Sequence, residues 1–370
     1  MSEYKIATLP PLPRVALRDL GRRAAGAFAR LAPGHDPHGE LRYLWTDHMS
    51  DDFRAGDALR ERCPPVDLIS LPNVEVRSDW MPYLDDAVVA DPPIKPAYMR
   101  QYYETGLIDA FGYPKVNRVR RVRSPAFVVS HFNMRTYGHF LLEVLPKLFL
   151  VRELYSMGLR FPVVLPASLQ TYIKIAMAAC PNVRWLIYDD RRERLHLSTA
   201  LLPTVLSSGS AHFHDIAIAG FKTAALRLSE ARRPTSKRVF LSRVNAPSFR
   251  KLKNEAELSA IARGFGFETI SPETLPWSEQ VAMFVGATHV VGEFSSALHN
   301  TLFCPPSAQV VCLNWWAPLQ SALAVTAGHG IGYILPKDGV TTAFKPGWTE
   351  AQEFEIEPEL FRERLASLSY

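Results

Sequence analysis

The most constraining feature of this sequence is a regular alternation of short apolar runs and helical patterns in its second half. Apolar runs with the length of buried strands occupy residues 238–242, 267–270, 288–292 and 309–313. Helical patterns separate them, beginning at Asn254 and covering residues 277–285 and 297–303. Neighbouring parallel strands need a crossover connection, which is usually a helix. The alternation therefore predicts an α/β unit with a parallel sheet of nucleotide-binding type.

A less regular alternation precedes this region. Strand patterns occupy residues 126–130, 161–166 and 183–188, and helical patterns occupy residues 137–157 and 169–179. Pro146 interrupts the first helical pattern and predicts a kink or a division into two helices. The first hundred residues are rich in proline and indicate only strands with long loops between them. Asn254 and Glu257 have the spacing of a capping box.

Length and composition favour two globular domains. The chain has 370 residues, of which 47% are hydrophobic and 21% charged. The polar segment 229–237 is a plausible linker. We therefore predict an N-terminal domain over 1–228, a C-terminal domain of nucleotide-binding type over 238–335, and a tail over 336–370 that packs back on the N-terminal domain. Open parallel sheets bind ligands at the carboxyl ends of their strands, so we expect the site in the loops that follow these strands.

The loop after the strand at 288–292 is the first candidate site. A strand that leads into a helix offers free backbone N–H groups and the positive end of a helix dipole, which suit a diphosphate. Serines in this loop cap the helix or bind phosphate, and an acidic residue at the strand end suits ribose hydroxyls. The candidate residues for binding a phosphate-bearing donor molecule are Gly292, Glu293, Ser295, Ser296, His299 and Asn300. Simple capping by the serines, with His299 and Asn300 solvated, is the alternative.

A second candidate is the arginine that ends the first strand of the C-terminal domain. Arg243 follows this strand and is placed to neutralise a leaving diphosphate. Arg250 is a further donor-binding candidate in the next loop. For Lys253, a surface salt bridge is the preferred interpretation.

The third candidate is the segment from His131 to Glu143, which runs from a strand end into a helix. His139 and Glu143 are four residues apart and share one helix face. A histidine and a carboxylate near a cleft are what general-base catalysis requires, and the sequence leaves open which of the two is the base. His131, Asn133 and Tyr137 are the acceptor-side candidates. A purely structural histidine–carboxylate pair is the alternative.

Several features limit the function classes. The sequence contains no P-loop, no G-x-G-x-x-G and no H-E-x-x-H motif, and no two aspartates stand at D-x-D spacing. We therefore predict no metal site and no required cofactor. The net charge of +5 is compatible with a phosphate-bearing donor or an anionic membrane surface. Two basic runs, Arg118 to Arg123 and Arg191 to Arg194, are typical of solvated faces but also suit anionic lipid.

Cysteine spacing and the N-terminal segment bear on location. The four cysteines are widely spaced, which argues against a disulfide framework or a structural zinc. The N-terminal segment has no apolar run of signal-peptide type. We expect a cytoplasmic protein, with peripheral contact at the inner membrane face left open, and no nucleic-acid partner.

Two segments resemble glycosyltransferase family 61. Residues 131–149, HFNMRTYGHFLLEVLPKLF, resemble the N-Y-x-H-[FW]-L-x-[DE]-x-L-P-[RK]-L element of that family. Residues 239–313 resemble its C-terminal block in order and spacing, through VFLSR, NEAEL, GFETI, EQVAMF and a Leu-x-Asn followed by Phe-x-Pro-Pro. The loop departs from the eukaryotic pattern Gly-Pro-His-Gly-Ala-Gly-Leu-x-Asn, since Phe294 replaces the histidine while Glu293 and His299 appear. This variant resembles bacterial members proposed to build capsule or other surface polysaccharides.

The resemblance implies a GT-B fold, in which two Rossmann-like domains with mostly parallel sheets face each other. It also implies inverting, metal-independent transfer of a sugar from a nucleotide-sugar donor to an acceptor hydroxyl of a glycan or lipid-linked acceptor. Arg243, the 292–300 loop and the His139/Glu143 helix would then line one cleft. A non-catalytic nucleotide-sugar-binding partner of a polysaccharide assembly complex is the main alternative. A phosphoryl or acyl transferase is a weaker one, because the P-loop and G-x-S-x-G motifs are absent.

Overall fold

The computed structural model describes residues 4–9, 11–20, 26–47, 49–58, 61–90, 97–207, 212–229, 237–246, 250–337 and 352–368. In chain order the strands are β1 (Lys5–Ile6), β2 (Ala27–Ala32), β3 (Arg42–Tyr43), β4 (Val66–Val76), β5 (Pro82–Leu84), β6 (Ala87–Val88), β7 (Val119–Val122), β8 (Ala126–Phe127), β9 (Val163–Pro166), β10 (Trp185–Tyr188), β11 (Arg194–Pro203), β12 (Arg238–Leu241), β13 (Arg250–Leu252), β14 (Glu268–Ile270), β15 (His289–Glu293), β16 (Gln309–Leu313), β17 (Gly330–Ile334) and β18 (Gln352–Phe354).

The helices, again in chain order, are α1 (Asp51–Ala58), α2 (Ala97–Glu104), α3 (Tyr137–His139), α4 (Leu145–Ser156), α5 (Gln170–Ala179), α6 (Asp215–Ser229), α7 (Glu255–Gly264), α8 (Trp277–Gly286), α9 (Pro318–Ala327) and α10 (Pro358–Ala366). A π-helical segment, Phe140–Val144, connects α3 to α4. Short 3₁₀ segments lie at Leu17–Asp19, Leu107–Phe111, Pro272–Thr274 and Leu298–Phe303.

The chain forms two compact units, each assembled from separate segments. The first unit comprises Met1–Asp36, Glu61–Gly209 and Phe213–Gly220, and the second comprises Pro37–Arg60, Ser210–His212 and Phe221–Tyr370. This division differs from the predicted boundary at residue 228, because it falls inside α6 and gives residues 37–60 to the second unit. Most of the predicted linker, 229–237, lies outside the described residues.

The sheet of the first unit is mixed. Its order is β1-β6-β5-β4-β11-β8-β9-β10, with β2 beside β4 and β7 beside β11. Strands β8, β9 and β10 pair in parallel, as the alternation predicts, whereas β2, β4 and β5 pair antiparallel. Helix α6 packs closely on α4, since a Cβ at Gly220 would lie 2.3 Å from the Phe149 ring. The first hundred residues thus supply strands to this unit, as expected.

The second unit contains a parallel sheet in the order β14-β12-β15-β16-β17-β3. The chain passes from β12 to β14 on one side and then crosses to β15 on the other. Strands β12 and β15 therefore flank a topological switch point, where open α/β sheets bind ligands beyond the carboxyl ends of their strands. Strand β3 enters from the N-terminal part of the chain, and the Trp45 indole N–H donates to the Tyr333 carbonyl at 2.9 Å.

The described part of the tail packs within the second unit. Strand β18 pairs in parallel with β13, and α10 buries Phe361 and Leu365 beside Phe240 of β12. The Asn254 amide donates to the Ile356 carbonyl at 2.8 Å, and its side chain makes no capping hydrogen bond to α7. The predicted capping box is therefore not formed, because Asn254 binds the tail instead. This packing also differs from the expected docking of the tail on the N-terminal domain.

Candidate active site

The first unit places His139 and Glu143 on a helix with an unusual middle section. Helix α3 continues through the π segment Phe140–Val144 into α4, and Pro146 occupies the first turn of α4. Pro146 has no N–H to donate to the preceding turn, which permits the wider hydrogen-bonding pattern there. The sequence predicts a kink or a division at Pro146, and the structure has a π segment directly before α4. Single π turns of this kind occur frequently at functional sites.

Glu143 is the centre of a hydrogen-bonded cluster. The Tyr98 hydroxyl donates to its Oε1 at 2.6 Å. On the other oxygen, Oε2, His139 Nδ1 lies at 2.7 Å and His131 Nε2 at 2.9 Å. The Tyr98 oxygen also lies 2.6 Å from His131 Nε2 and 3.2 Å from His139 Nδ1, so each ring N–H is shared between the carboxylate and the phenol. Both carboxylate oxygens of Glu143 are thus occupied.

The backbone fixes the proton on His131. The Asn133 backbone N–H donates to His131 Nδ1 at 3.0 Å, so this nitrogen is an acceptor and the ring proton resides on Nε2. The Nε2–H then donates to Glu143. The His131 ring is buried and stacks on the His139 ring, with centroids 4.8 Å apart and an interplanar angle of 19°. His131 therefore holds Glu143 in place as a hydrogen-bond donor.

These contacts keep Glu143 ionised. Burial by itself raises the pKa of a carboxyl group, but the attraction and hydrogen bonds of His131, and then of His139, outweigh it. The pKa of Glu143 is held well below its usual range. A carboxylate of such low basicity, with three donors on its oxygens, is a poor proton acceptor. It is well suited to orient a neighbouring imidazole.

His139 is the more accessible member of the pair. Its side chain is 35% exposed, whereas that of Glu143 is 15% exposed. In the tautomer whose Nδ1–H is directed at Glu143, the ring presents the lone pair of Nε2 on the other side. A carboxylate that fixes the tautomer of a histidine is the arrangement used to activate hydroxyl groups. The geometry of the pair is thus suited to accept a proton from a hydroxyl group.

The side chains of this cluster are close enough to one another to be considered as ligands of a metal ion. One ligand atom each from His131, His139 and Glu143 lies within 4.8 Å of the others. However, a ligating imidazole nitrogen must be unprotonated, and the Asn133 N–H leaves the proton of His131 on the nitrogen that faces the cluster. The hydrogen bond from Asn133 therefore opposes metal binding through His131 Nε2.

Of the remaining residues near this cluster, the sequence analysis named Asn133 and Tyr137 but did not name Tyr98. The Thr136 hydroxyl donates to the Asn133 side chain at 2.9 Å, and Tyr137 begins α3 with its side chain partly buried. Tyr98 is absent from the predicted set, because it lies on α2, 45 residues before Glu143, in a region without a recognisable pattern. Only the packing of α2 brings its hydroxyl to the site.

In the second unit, the switch point brings together two predicted donor-binding residues. Arg243 follows β12 and Glu293 ends β15, and Arg243 Nε lies 3.9 Å from Glu293 Oε2. Glu293 is buried, and the Arg243 backbone N–H donates to Glu255 at 3.3 Å. Both residues thus lie at the carboxyl ends of neighbouring strands. The arginine charge therefore faces the Glu293 carboxylate.

The loop after β15 differs from the prediction in one respect. The expected helix over 297–303 is a six-residue 3₁₀ segment, Leu298–Phe303, with Ala297 at its N-cap and no side-chain cap. Ser295 and Ser296 therefore precede a short segment, and neither caps it. Pro305 and Pro306 follow at once and leave no room for a full helix.

Gly292 has a clear structural reason to be glycine. A Cβ at this position would lie 2.9 Å from the Leu241 Cβ, its register partner on β12. Real Cβ atoms do not approach a neighbour so closely without displacing it. The absence of a side chain at Gly292 therefore leaves room for Leu241 at the end of the strands that carries Arg243 and Glu293.

His299 and Asn300 lie inside the unit. Both are buried, with His299 Nδ1 3.3 Å from the Gln320 Oε1 and the Asn300 amide donating to Gln280 at 3.4 Å. They thus connect the loop to α9 and α8, and their contact with a donor stays a prediction. Asn314, which the sequence did not single out, accepts hydrogen bonds from the backbone N–H groups of Phe294 and Trp315, both at 3.1 Å. It ties the ends of β15 and β16 together.

Two further predictions concern the loop before α7. The backbone of Arg250 begins β13, and its side chain lies outside the described part of the structure. Lys253 is exposed and lies 3.7 Å from Glu353, which agrees with the surface salt bridge expected for it.

A comparison with known protein families gives a match that includes residues of both candidate sites. Residues 137–311 match the family model for glycosyltransferase 61. The matched region contains His139 and Glu143 as well as Arg243 and the 292–300 loop, while Tyr98 and His131 precede it. The glycosyltransferase 61 match supports this family and, with it, a transferase activity. No curated protein matches the sequence. Within the described residues, no helix combines the length and apolar character needed to cross a membrane.

Proposed function

We propose that this protein is an inverting, metal-independent glycosyltransferase of the GT-B type, whose two units are the acceptor-side and donor-side domains. It transfers a hexosyl or pentosyl group from a nucleotide sugar to an acceptor hydroxyl in surface polysaccharide or glycan synthesis, on the cytoplasmic side. The acceptor is a glycan or a lipid-linked glycan. The observation that carries the proposal is the His139–Glu143 pair, with a partly exposed imidazole on a carboxylate at 2.7 Å.

In the proposed reaction His139 is the general base. Its Nε2 takes the proton of the acceptor hydroxyl as the oxygen attacks the anomeric carbon of the sugar. The bond from that carbon to the nucleoside diphosphate breaks, and the leaving phosphate oxygen keeps the electron pair. Attack opposite the leaving group inverts the anomeric configuration. Glu143 stabilises the imidazolium that forms, while Tyr98 and His131 hold Glu143 in position.

The donor would bind at the switch point of the second unit. Arg243 would stabilise the charge that develops on the departing diphosphate, since preorganised cations act most strongly in water-poor sites. In the described state Glu293 faces Arg243 at 3.9 Å. Donor binding would move Arg243 from Glu293 to phosphate oxygens and leave Glu293 for the ribose hydroxyls.

The first experiment identifies the donor. Purified protein is screened by thermal shift against nucleotides and nucleotide sugars, with and without EDTA. A ligand present at a hundred times its Kd stabilises the folded state by about 2.7 kcal/mol, which a thermal shift detects. A shift with one nucleotide sugar that is unchanged by EDTA agrees with the proposal. Turnover abolished by EDTA and restored by a divalent ion contradicts it, and binding without any turnover favours the non-catalytic alternative.

His139→Ala is expected to lower kcat by about 10²- to 10⁴-fold and to leave donor binding intact, because the base is lost but the switch point is untouched. Added imidazole should restore part of the rate by filling the vacated space. The control is His196→Ala, which removes a partly buried histidine of β11. If Glu143 were the base instead, imidazole would restore nothing to the His139 variant.

Arg243→Ala is expected to reduce turnover by about 10²-fold or more, because the leaving diphosphate loses its cation. The matched control is Arg263→Ala, which removes an exposed arginine from the end of α7. Both variants are compared by steady-state kinetics with the donor identified above. Unchanged turnover in the Arg243 variant would remove this residue from the proposed mechanism.

A further inference from the structure

Two arginine-rich segments that are distant in the sequence lie side by side in the first unit. Residues 118–123 contain β7, and residues 191–194 lead into β11. The two strands pair in parallel, with Val119 opposite Arg194 and Arg121 opposite His196. The pairing gathers both segments at one edge of the sheet, where β7 has β11 as its described partner strand. We call this surface the arginine edge.

The arginine edge is strongly positive and open to solvent. Its exposed members are Arg118, Arg120, Arg121, Arg123, Arg191 and Arg192. Two of them have acidic neighbours, since Arg120 lies 3.4 Å from Glu193 and Arg192 lies 3.7 Å from Asp189. For the other four, the described residues provide no ion pair.

Protection of a sheet edge does not account for this charge. Charged side chains on edge strands prevent unwanted pairing with other chains, and the arginines of β7 are suited to that. However, Arg191 and Arg192 lie in the turn before β11 and cover no edge. The six arginines also exceed what a four-residue strand requires. The arginines that edge protection does not require indicate an anionic partner.

The chemistry of the edge favours phospholipid head groups. Guanidinium groups match phosphate oxygens in a bidentate way. An extended segment from Arg118 to Arg123 reaches about 17 Å, at about 3.3 Å per residue, and its arginines project alternately to the two sides of the strand along this edge. Neither 115–125 nor 191–194 contains an aromatic residue, whereas single-stranded nucleic acids are bound largely through stacking on aromatic rings. We infer that the arginine edge binds the phosphate head groups of an anionic membrane surface.

The inference is tested by co-sedimentation of the full chain with vesicles, without any sugar donor, so that it does not depend on the proposed transferase activity. Vesicles of phosphatidylcholine are compared with vesicles of phosphatidylcholine and phosphatidylglycerol, at low and at high salt. We expect binding to the anionic vesicles only, weakened by salt. Equal binding to neutral vesicles, or no binding at low salt, overturns the inference.

The decisive variant carries Gln in place of Arg118, Arg121, Arg123 and Arg191. Each basic residue near an anionic surface contributes about 1 kcal/mol, so this variant should partition about 10²-fold or more weakly. The control replaces four exposed cations elsewhere by Gln and changes the net charge equally. These control positions are Lys174, Lys222, Lys251 and Arg263.

Three results would contradict the assignment. Equal loss of binding in both variants would show an effect of net charge alone. A second such result is an arginine variant that binds vesicles as the wild type does but self-associates, as seen by light scattering. That result would leave edge protection as the role of these residues. Tight binding of an oligonucleotide through the same arginines, without vesicle binding, would assign the surface to nucleic acid.

Discussion

Glu143 accepts hydrogen bonds from three side chains, and each donor differs in how far the sequence revealed it. His139 is four residues away on the same helix, so its contact follows from helix geometry. His131 lies in the same motif, but only the Asn133 N–H establishes which of its nitrogens carries the proton. Tyr98 is separated from His131 by 33 residues, and no local rule predicts that approach.

Tyr98→Phe tests the phenol as a positioning group. Loss of the hydroxyl removes the donor to Glu143 Oε1, while the ring is retained. We expect kcat to fall about 10-fold, in keeping with one hydrogen bond to a charged group, and KM to change little. Steady-state kinetics measure the effect.

The control for this variant is Tyr102→Phe on the next turn of α2, where the ring packs against Phe132 with centroids 4.8 Å apart. A purely structural role for Tyr98 would lower the melting temperature of both variants similarly. In that case kcat for Tyr98→Phe would not fall relative to the control.

At the scale of secondary-structure elements, the second unit was the more predictable. The strand predicted over 309–313 is β16 at the same residues, and the other three predicted strands agree within a residue or so. Their continuous apolar runs arise because a parallel strand is buried on both faces. Strand β3 has two residues, Arg42 and Tyr43, and carries no such pattern. It forms because β17 leaves an edge for it, which a local pattern cannot indicate.

Gly292→Ala tests the close approach of β12 and β15. The added methyl group would contact Leu241, so the strands must separate at the switch point. Overpacking of this kind costs about 1–3 kcal/mol, and we expect weaker donor binding as well. Urea unfolding and the thermal shift with donor measure the two effects.

Gly264→Ala is the matched control, because a Cβ there meets nothing within 4 Å. This substitution should be neutral or slightly stabilising, since it restricts the unfolded chain. If both glycine variants have the same stability and donor affinity as the wild type, the close packing of the two strands is unimportant.

At the scale of the whole molecule, buried titratable groups set the response to acid. Burial lowers the pKa of His329, which precedes β17, to about 4 from an ordinary value of 6.5. The unfolded chain therefore binds a proton between pH 6.5 and 4 that the folded protein does not bind. The stability associated with His329 is complete above pH 6.5 and is lost as the pH falls towards 4, by about 3 kcal/mol.

His329→Phe is expected to reduce this acid sensitivity. The difference in unfolding free energy between wild type and variant should change by about 3 kcal/mol between pH 7 and pH 4, in favour of the variant at the lower pH. Urea titrations across this range provide the measurement. A constant difference would mean that His329 titrates alike in the folded and unfolded chain.

The strand β3 also has a consequence for how the protein is made. Trp45 donates its indole proton to a carbonyl 288 residues later in the chain. At a synthesis rate of about 5–20 residues per second, the partner strand leaves the ribosome about 15 to 60 seconds after residues 42–45. During that interval the nascent N-terminal segment has no sheet to join. The sheet of the second unit can therefore be completed only after β17 has emerged, whereas the segments of the first unit, which end at Gly220, emerge earlier.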